Sequence, residues 1–267
     1  MPPADRAPDG APRAAPGRDP LLDTRALIVS VAAVVLASFV KGAIGFGFPA
    51  LATPLLALFM DVRVAVPVLI IPNLVMDGIQ AVRWGGWLAI VRRMAVVLAF
   101  GVVGTFLGTR LLAVLPPSVA ILTMGGVVLS FVAANATRYQ PRVPPAWTPW
   151  LAPPLGLVAG ILGGLANVPG LPLVIYFYSL RMPKAEFVQS VAVCFVCYKL
   201  IQLGAVTWYG LMTARVLAGS LALTVVGLGA FRLGLAVQDR LAPATFNRLV
   251  LGFLAVLGLW LVVRAAL

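Results

Sequence analysis

Apolar residues run along this chain in stretches long enough to cross a bilayer, with polar and basic residues gathered between them. A membrane-crossing helix needs about 20 apolar residues. The pattern predicts eight such helices: Arg25–Phe46, Val64–Trp84, Ala89–Leu115, Ser118–Thr137, Trp150–Ala166, Lys184–Trp208, Thr213–Val237 and Ala244–Arg264. Two shorter apolar pieces, Pro49–Met60 and Pro169–Leu180, follow the first and fifth. Each would make about 18 Å of helix against a hydrocarbon core of about 30 Å, which favours re-entrant half-helices. Residues 1–24 carry six prolines and little apolar surface, so they are expected to be a disordered tail. Residues 138–149, polar and proline-rich, read as a central linker.

Each short piece follows a break built from glycine and proline. The first runs Gly42-Ala43-Ile44-Gly45-Phe46-Gly47-Phe48-Pro49, then Pro54; the second runs Gly160-Ile161-Leu162-Gly163-Gly164-Leu165-Ala166-Asn167-Val168-Pro169, then Pro172. Gly42 matches Gly160, Gly45 matches Gly163, Pro54 matches Pro172 and Arg63 matches Arg181, all at an offset of 118. Further on, Ile79-Gln80 matches Ile201-Gln202 at 122, and Pro116 and Gly125 match Pro243 and Gly252 at 127. The expectation is an all-α integral membrane protein with about eight spans. They would form two repeats of about four, 25–137 and 150–267, each opening with a broken helix. Four crossings per half would make the repeats parallel; an odd count would invert them. Glycine alone serves close helix packing, but the prolines remove backbone donors. Broken backbone at membrane depth survives only where protein or a watery cavity satisfies it. Matching breaks in two halves therefore point to a transport site.

Composition narrows the class. The chain is 61% hydrophobic and 10% charged, against about 25% charged for a soluble domain. Its net charge of +12 is scattered over loops and helix ends rather than clustered, which argues against a nucleic-acid partner. Histidine is absent, and the two cysteines, Cys194 and Cys197, lie inside a span with no second pair. They read as small core residues, so no metal and no cofactor are expected. No carboxylate pair or nucleophile motif sits within a span, so the chain does not read as an enzyme. Arg83, Arg92, Arg93, Arg138, Arg142 and Arg215 fall in loops assigned to the side of the N-terminus. The positive-inside rule then puts both termini in the cytoplasm. Trp84, Trp87, Trp147, Trp150 and Trp208 fall at span ends, as interfacial anchors do.

Polar side chains within spans are functional candidates by default. Asn73, Asp77 and Gln80 share one stripe of the second span, within about 60° at about 100° per residue. The stripe either lines a cavity or bridges packed helices. The sixth span answers with Gln189, Ser190, Lys199 and Gln202, and Lys199 takes the place of Asp77 in the repeat. Lys199 either pairs with Asp77 or snorkels to the interface. Lys41 precedes the first break, where a cation beside helix N-termini would favour an anion; Asn167 lies in the second break. Asn167 serves there as a turn residue or turns its amide toward the site. The candidate substrate site is thus Lys41, Gly45, Gly47, Asn73, Asp77, Gln80, Gly163, Asn167, Gln189, Ser190, Lys199 and Gln202. Arg63 and Arg181 either steer anions or face lipid headgroups.

The strings GAIGFGFPALATPLL from Gly42, GILGGLANVPGLPLV from Gly160 and VRVAVPVLIIPNLVMDGIQAVR from Val62 resemble the sulfite exporter TauE/SafE family. The resemblance covers nearly all of the chain after the tail; Leu165-Ala166-Asn167 departs from it where a glycine run would be expected. It implies a multi-pass inner-membrane transporter of sulfite, sulfoacetate, thiosulfate or a related small anion, with the proton as a candidate coupling ion. Asp77, the one acidic residue deep in a span, would carry that proton. The competing reading is a non-transporting membrane scaffold, which accounts for packing glycines but not for paired breaks or a polar stripe.

Overall fold

A computed structural model describes residues 24–136, 147–180 and 182–237, with positions 255, 259, 262 and 263. The N-terminal tail, most of the linker, Arg181 and nearly all of the eighth expected span lie outside the described residues. The described chain is helical throughout. Its elements are α1 (Thr24–Ile44), α2 (Phe48–Ala57), α3 (Val62–Val68), α4 (Ile70–Val82), α5 (Trp87–Arg93), α6 (Ala95–Val114), α7 (Pro117–Ala136), α8 (Thr148–Ala166), α9 (Gly170–Ser179), α10 (Lys184–Trp208) and α11 (Ala214–Val237). Among the described residues, six segments are long and apolar enough to cross a membrane: α1, α3 with α4, α6, α8, α10 and α11.

Two of the expected spans are interrupted. The second is jointed at Leu69 (φ −93°, ψ −2°), between α3 and α4. Pro72 has no N–H to give the carbonyl four residues back, so the ladder opens there. The third is shorter than its apolar run suggests. Trp87–Arg93 forms a separate, mostly exposed helix, set off by Met94 (φ −95°, ψ 10°).

Both breaks fall where glycine and proline predict, in a different register. Ile44 and Ala166 end the first helices, Phe48 and Gly170 begin the short ones, and Ala57 and Ser179 end them; each pair is 122 residues apart. Val62 and Lys184, which open α3 and α10, keep the same spacing. The 118-residue match is thus displaced by four residues, about one helical turn. The repeated glycines are shared, but the backbone turns elsewhere: Gly45 and Gly47 both have φ of 102°, and Asn167, not Gly163, is left-handed at φ 62°.

Close contacts fix the directions of the helices. Gly42 abuts Phe231, Gly234 and Leu235, while Gly227 abuts Val34 and Ser38, so α1 and α11 run parallel. Gly156 meets Val97, Gly160 meets Gly101 and Thr105, and Gly164 meets Thr105 and Thr109, so α6 and α8 also run parallel. A Cβ on Gly160 would lie 2.1 Å from the Gly101 carbonyl oxygen, a backbone approach only glycine permits. In contrast, Gln189 early in α10 bonds the Ala81 and Gly85 carbonyls at the end of α4, and the two helices run antiparallel.

These directions correct the expected sidedness. The Arg63 guanidinium reaches the carbonyls of Leu112 and Leu115, and Gly219 sits by Val68, so α1, α3 and α11 begin at the end where α6 finishes. Each short helix turns back along the long one before it, and the next long helix starts at the original end. Arg83, Arg92 and Arg93 therefore lie opposite the start of α1, and opposite Arg215. Trp84, Trp87, Trp147 and Trp150 are exposed at their end and Trp208 at the other.

Candidate functional site

The polar stripe of α4 faces inward. Asn73, Asp77 and Gln80 are each at most 1% exposed. Lys41, in the last turn of α1, complements that helix's carbonyl end and turns its ammonium onto the stripe. Its Nζ lies 2.5 Å from Asp77 Oδ1, donates to Asn73 Oδ1 at 3.4 Å, and stands 5.7 Å from the centroid of the Phe195 ring. The charged head is thus held by a carboxylate, an amide and an aromatic face.

A second lysine occupies the other break. Lys199 is 1% exposed and donates to Asn167 Oδ1 and Gln202 Oε1. Asn167 closes α8 in a left-handed turn, its N–H on the Gly163 carbonyl as in the αL cap, and Val168 N–H reaches back to the Leu162 carbonyl. Asparagine tolerates that conformation and brings an amide as well: Nδ2 donates to Thr53 Oγ1 at 2.8 Å. Gln202 is oriented by Nε2, which donates to the carbonyls of Gly163 and Gly164 at 3.1 and 3.2 Å.

Neither sequence alternative for Lys199 describes its contacts. It does not snorkel, and the partner of Asp77 is Lys41. The Asn167 amide, bonded to Thr53 of α2, ties the second break to the short helix of the first. Among the described residues, the buried charges are Lys41, Lys199 and Asp77 alone. Two lysines and one carboxylate are thus buried there, and the carboxylate touches Lys41 alone of the two. Burying an ion costs several kcal/mol even after relaxation, so a surplus cation in the interior is a strong pull on an anion.

Several polar atoms there have no partner among the described residues: Asn73 Nδ2, Asp77 Oδ2, both amide atoms of Gln80, and Ser190 Oγ. Leaving such groups unmade typically costs about 1–3 kcal/mol each, and they are free to engage a solute. Other candidates make the following contacts. Gln189 ties α10 to α4 at 2.8 and 2.6 Å. Gly45 packs on Val188, Gly47 faces open space, and Gly163 offers its carbonyl to Gln202. Arg63 donates to the Leu112 and Leu115 carbonyls at the end of α6. Cys194 and Cys197 are unpaired, and no group of potential metal ligands exists among the described residues.

Thr53 is the member that the sequence reading missed. It is the sole polar side chain of α2, and a lone hydroxyl in an apolar half-helix is a signal that was available.

The family model of the sulfite exporter TauE/SafE matches residues 30–261. No curated protein and no solved structure matches the chain at a significant level.

Proposed function

Because the chain belongs to the sulfite exporter TauE/SafE family, a family of membrane transporters for sulfur anions, we propose that it is a secondary transporter of a small anion. Sulfite, sulfoacetate, thiosulfate or a related organosulfur anion would cross the cytoplasmic membrane between the two breaks. The observation that carries the reading is the charge count: Lys41 and Lys199 are buried against Asp77 alone among the described residues. A scaffold has no use for a surplus interior cation, whereas an anion carrier needs one.

The same proposal includes an inverted repeat. Elements spaced by 122 residues pack reciprocally, α1 on α11 and α8 on α6, and α4 meets its own counterpart α10 in antiparallel fashion. That is the pattern of two halves related by a pseudo-two-fold axis in the membrane plane, with broken helices meeting near the midplane. Rocking one half against the other would expose the lysines to each side in turn. Asp77, with Oδ2 unpartnered, is the group we assign to carry a coupled proton.

The test is flux of labelled sulfite, thiosulfate and sulfoacetate in proteoliposomes, with and without a pH gradient. Wild-type flux that is lost in both Lys199→Met and Asp77→Asn supports the reading. Flux that survives both changes removes the lysine region from the pathway, and absence of flux for all three anions removes these substrates.

A further inference from the structure

At the register of 122 residues the two breaks carry matching parts, and they use one of them differently. Gly45 and Asn167 make the positive-φ turns. Each gives its N–H to the carbonyl four residues back, Lys41 at 2.7 Å and Gly163 at 3.1 Å. Gln80 on α4 and Gln202 on α10 are also 122 residues apart. Gln202 is engaged at both ends of its amide: Nε2 donates to the Gly163 and Gly164 carbonyls, and Oε1 accepts from Lys199. Lys41 and Gly42 hold the equivalent places in the first half, yet neither amide atom of Gln80 has a partner among the described residues, and Gln80 is 1% exposed. An unmade buried amide is unfavourable, and an apolar side chain of the same shape would pack there at less cost. Helix packing therefore does not account for a glutamine at this position. Asn73 Nδ2 and Asp77 Oδ2, on the same face of α4, and Ser190 Oγ on α10 are unpartnered as well.

We propose that Gln80 contacts the transported anion directly, with its Nε2 hydrogens on the SO3 group that sulfite, thiosulfate and sulfoacetate share, while its repeat twin Gln202 is a positioning residue that acts through Lys199. An amide carries no charge, so Gln80 reads the oxygens on sulfur and serves anions of different net charge alike. Its Oε1 accepts from water or from a protonated oxygen of the anion. Asp77, three residues earlier on the same face, keeps its part as the carrier of the coupled proton; when protonated it is a second donor on the stripe. Gln202 has its amide committed to the second break, where it holds an oxygen on the Lys199 ammonium. This inference rests on the anion-transport reading, and it names the group through which that site recognises its cargo.

Binding and melting temperature, measured together on the purified full chain, separate the twins. The probes are labelled sulfite, thiosulfate and sulfoacetate, and the variants are Gln80→Met and Gln202→Met, which keep side-chain length and remove the amide. Gln80→Met is expected to weaken binding at least about tenfold, with a ligand-free melting temperature equal to the wild type's or higher, because a buried group without a partner has been removed. Gln202→Met is expected to weaken binding and also to lower the ligand-free melting temperature, because it takes an acceptor from a buried ammonium and a donor from two carbonyls. The loss in Gln80→Met should be of similar size for every one of the three anions that the wild type binds. Gln80→Met binding like the wild type overturns the proposal, as does a fall in its melting temperature to match that of Gln202→Met, which would make the amide a structural tie. A loss confined to sulfoacetate would assign Gln80 to the carboxylate and overturn the SO3 contact, and a Gln202→Met variant that loses binding with no fall in melting temperature overturns the division between the twins. In each of these cases wild-type flux leaves the transport reading standing. A wild type that neither binds nor moves any of the three anions overturns the transport reading itself.

Discussion

Lys41 Nζ lies 2.5 Å from Asp77 Oδ1, across 36 residues of sequence, with both side chains out of contact with solvent. The pair joins the end of α1 to the middle of α4 and so fixes the broken helix against the stripe behind it. Removing one member leaves the other charge buried and alone, which typically costs about 3–5 kcal/mol. Lys41→Met and Asp77→Asn should each lower the melting temperature in detergent sharply. The double variant Lys41→Met/Asp77→Asn should lose much less than the two losses combined. Additive losses would mean that the two side chains do not act as a pair.

The parallel helix pairs depend on glycine where backbones touch. Gly160→Ala would put a Cβ 2.1 Å from the Gly101 carbonyl oxygen, and Gly104→Ala would put one 2.2 Å from that of Leu157. Both helices would have to move apart, at about 1–3 kcal/mol or more for overpacking. Gly204→Ala meets nothing within 4 Å and should be neutral or slightly stabilising, since alanine is the better helix former by about 1 kcal/mol. Thermal denaturation of the three variants checks the contrast; equal effects would refute the close approach.

Asn167 combines a backbone role with a side-chain role, and two substitutions separate them. Glycine adopts φ of 62° freely, so Asn167→Gly keeps the turn and removes only the amide that joins Lys199 to Thr53. Asn167→Ala removes the amide and also strains the turn by about 1–2 kcal/mol. Both should lose anion binding, while the alanine variant alone should show the additional drop in melting temperature. Binding retained in Asn167→Gly would reduce Asn167 to a turn residue.

Much of this arrangement was legible in the sequence because the bilayer imposes simple rules. Apolar length located the long helices, and Gly with Pro located the breaks. The inward stripe of Asn73, Asp77 and Gln80 followed from helical spacing alone. What escaped were facts of three dimensions. Repeated glycines suggested a register of 118, since Gly42 and Gly160 both serve packing; the turn itself is made by Gly45 in one break and by Asn167 in the other. The pairing of Asp77 with Lys41 rather than Lys199 depends on how α1 lies against α4, which no spacing encodes. Gln189 had the composition of a site residue, but its surroundings make it a tie between helices. The joint at Leu69 was foreshadowed by Pro72, whose effect on the ladder is local.

The direction of the chain through the bundle leads to the last prediction. If each short helix dipped in and out from the far side, Arg83 and Arg215 would share a membrane face. The contacts instead make α1–α2 a hairpin that returns to its starting end, with α4 and α10 antiparallel. Arg83 follows α4 and Arg215 opens α11, so the two exposed positions fall on opposite faces. A background without cysteine, Cys194→Ala/Cys197→Ala, carrying either Arg83→Cys or Arg215→Cys, should react with a membrane-impermeant thiol reagent from opposite sides of oriented vesicles. Arg92→Cys should label with Arg83→Cys, because α5 stays at that end. Labelling of the Arg83 and Arg215 positions from one side would refute the antiparallel crossing, and with it the proposed inverted repeat and the alternating access proposed from it.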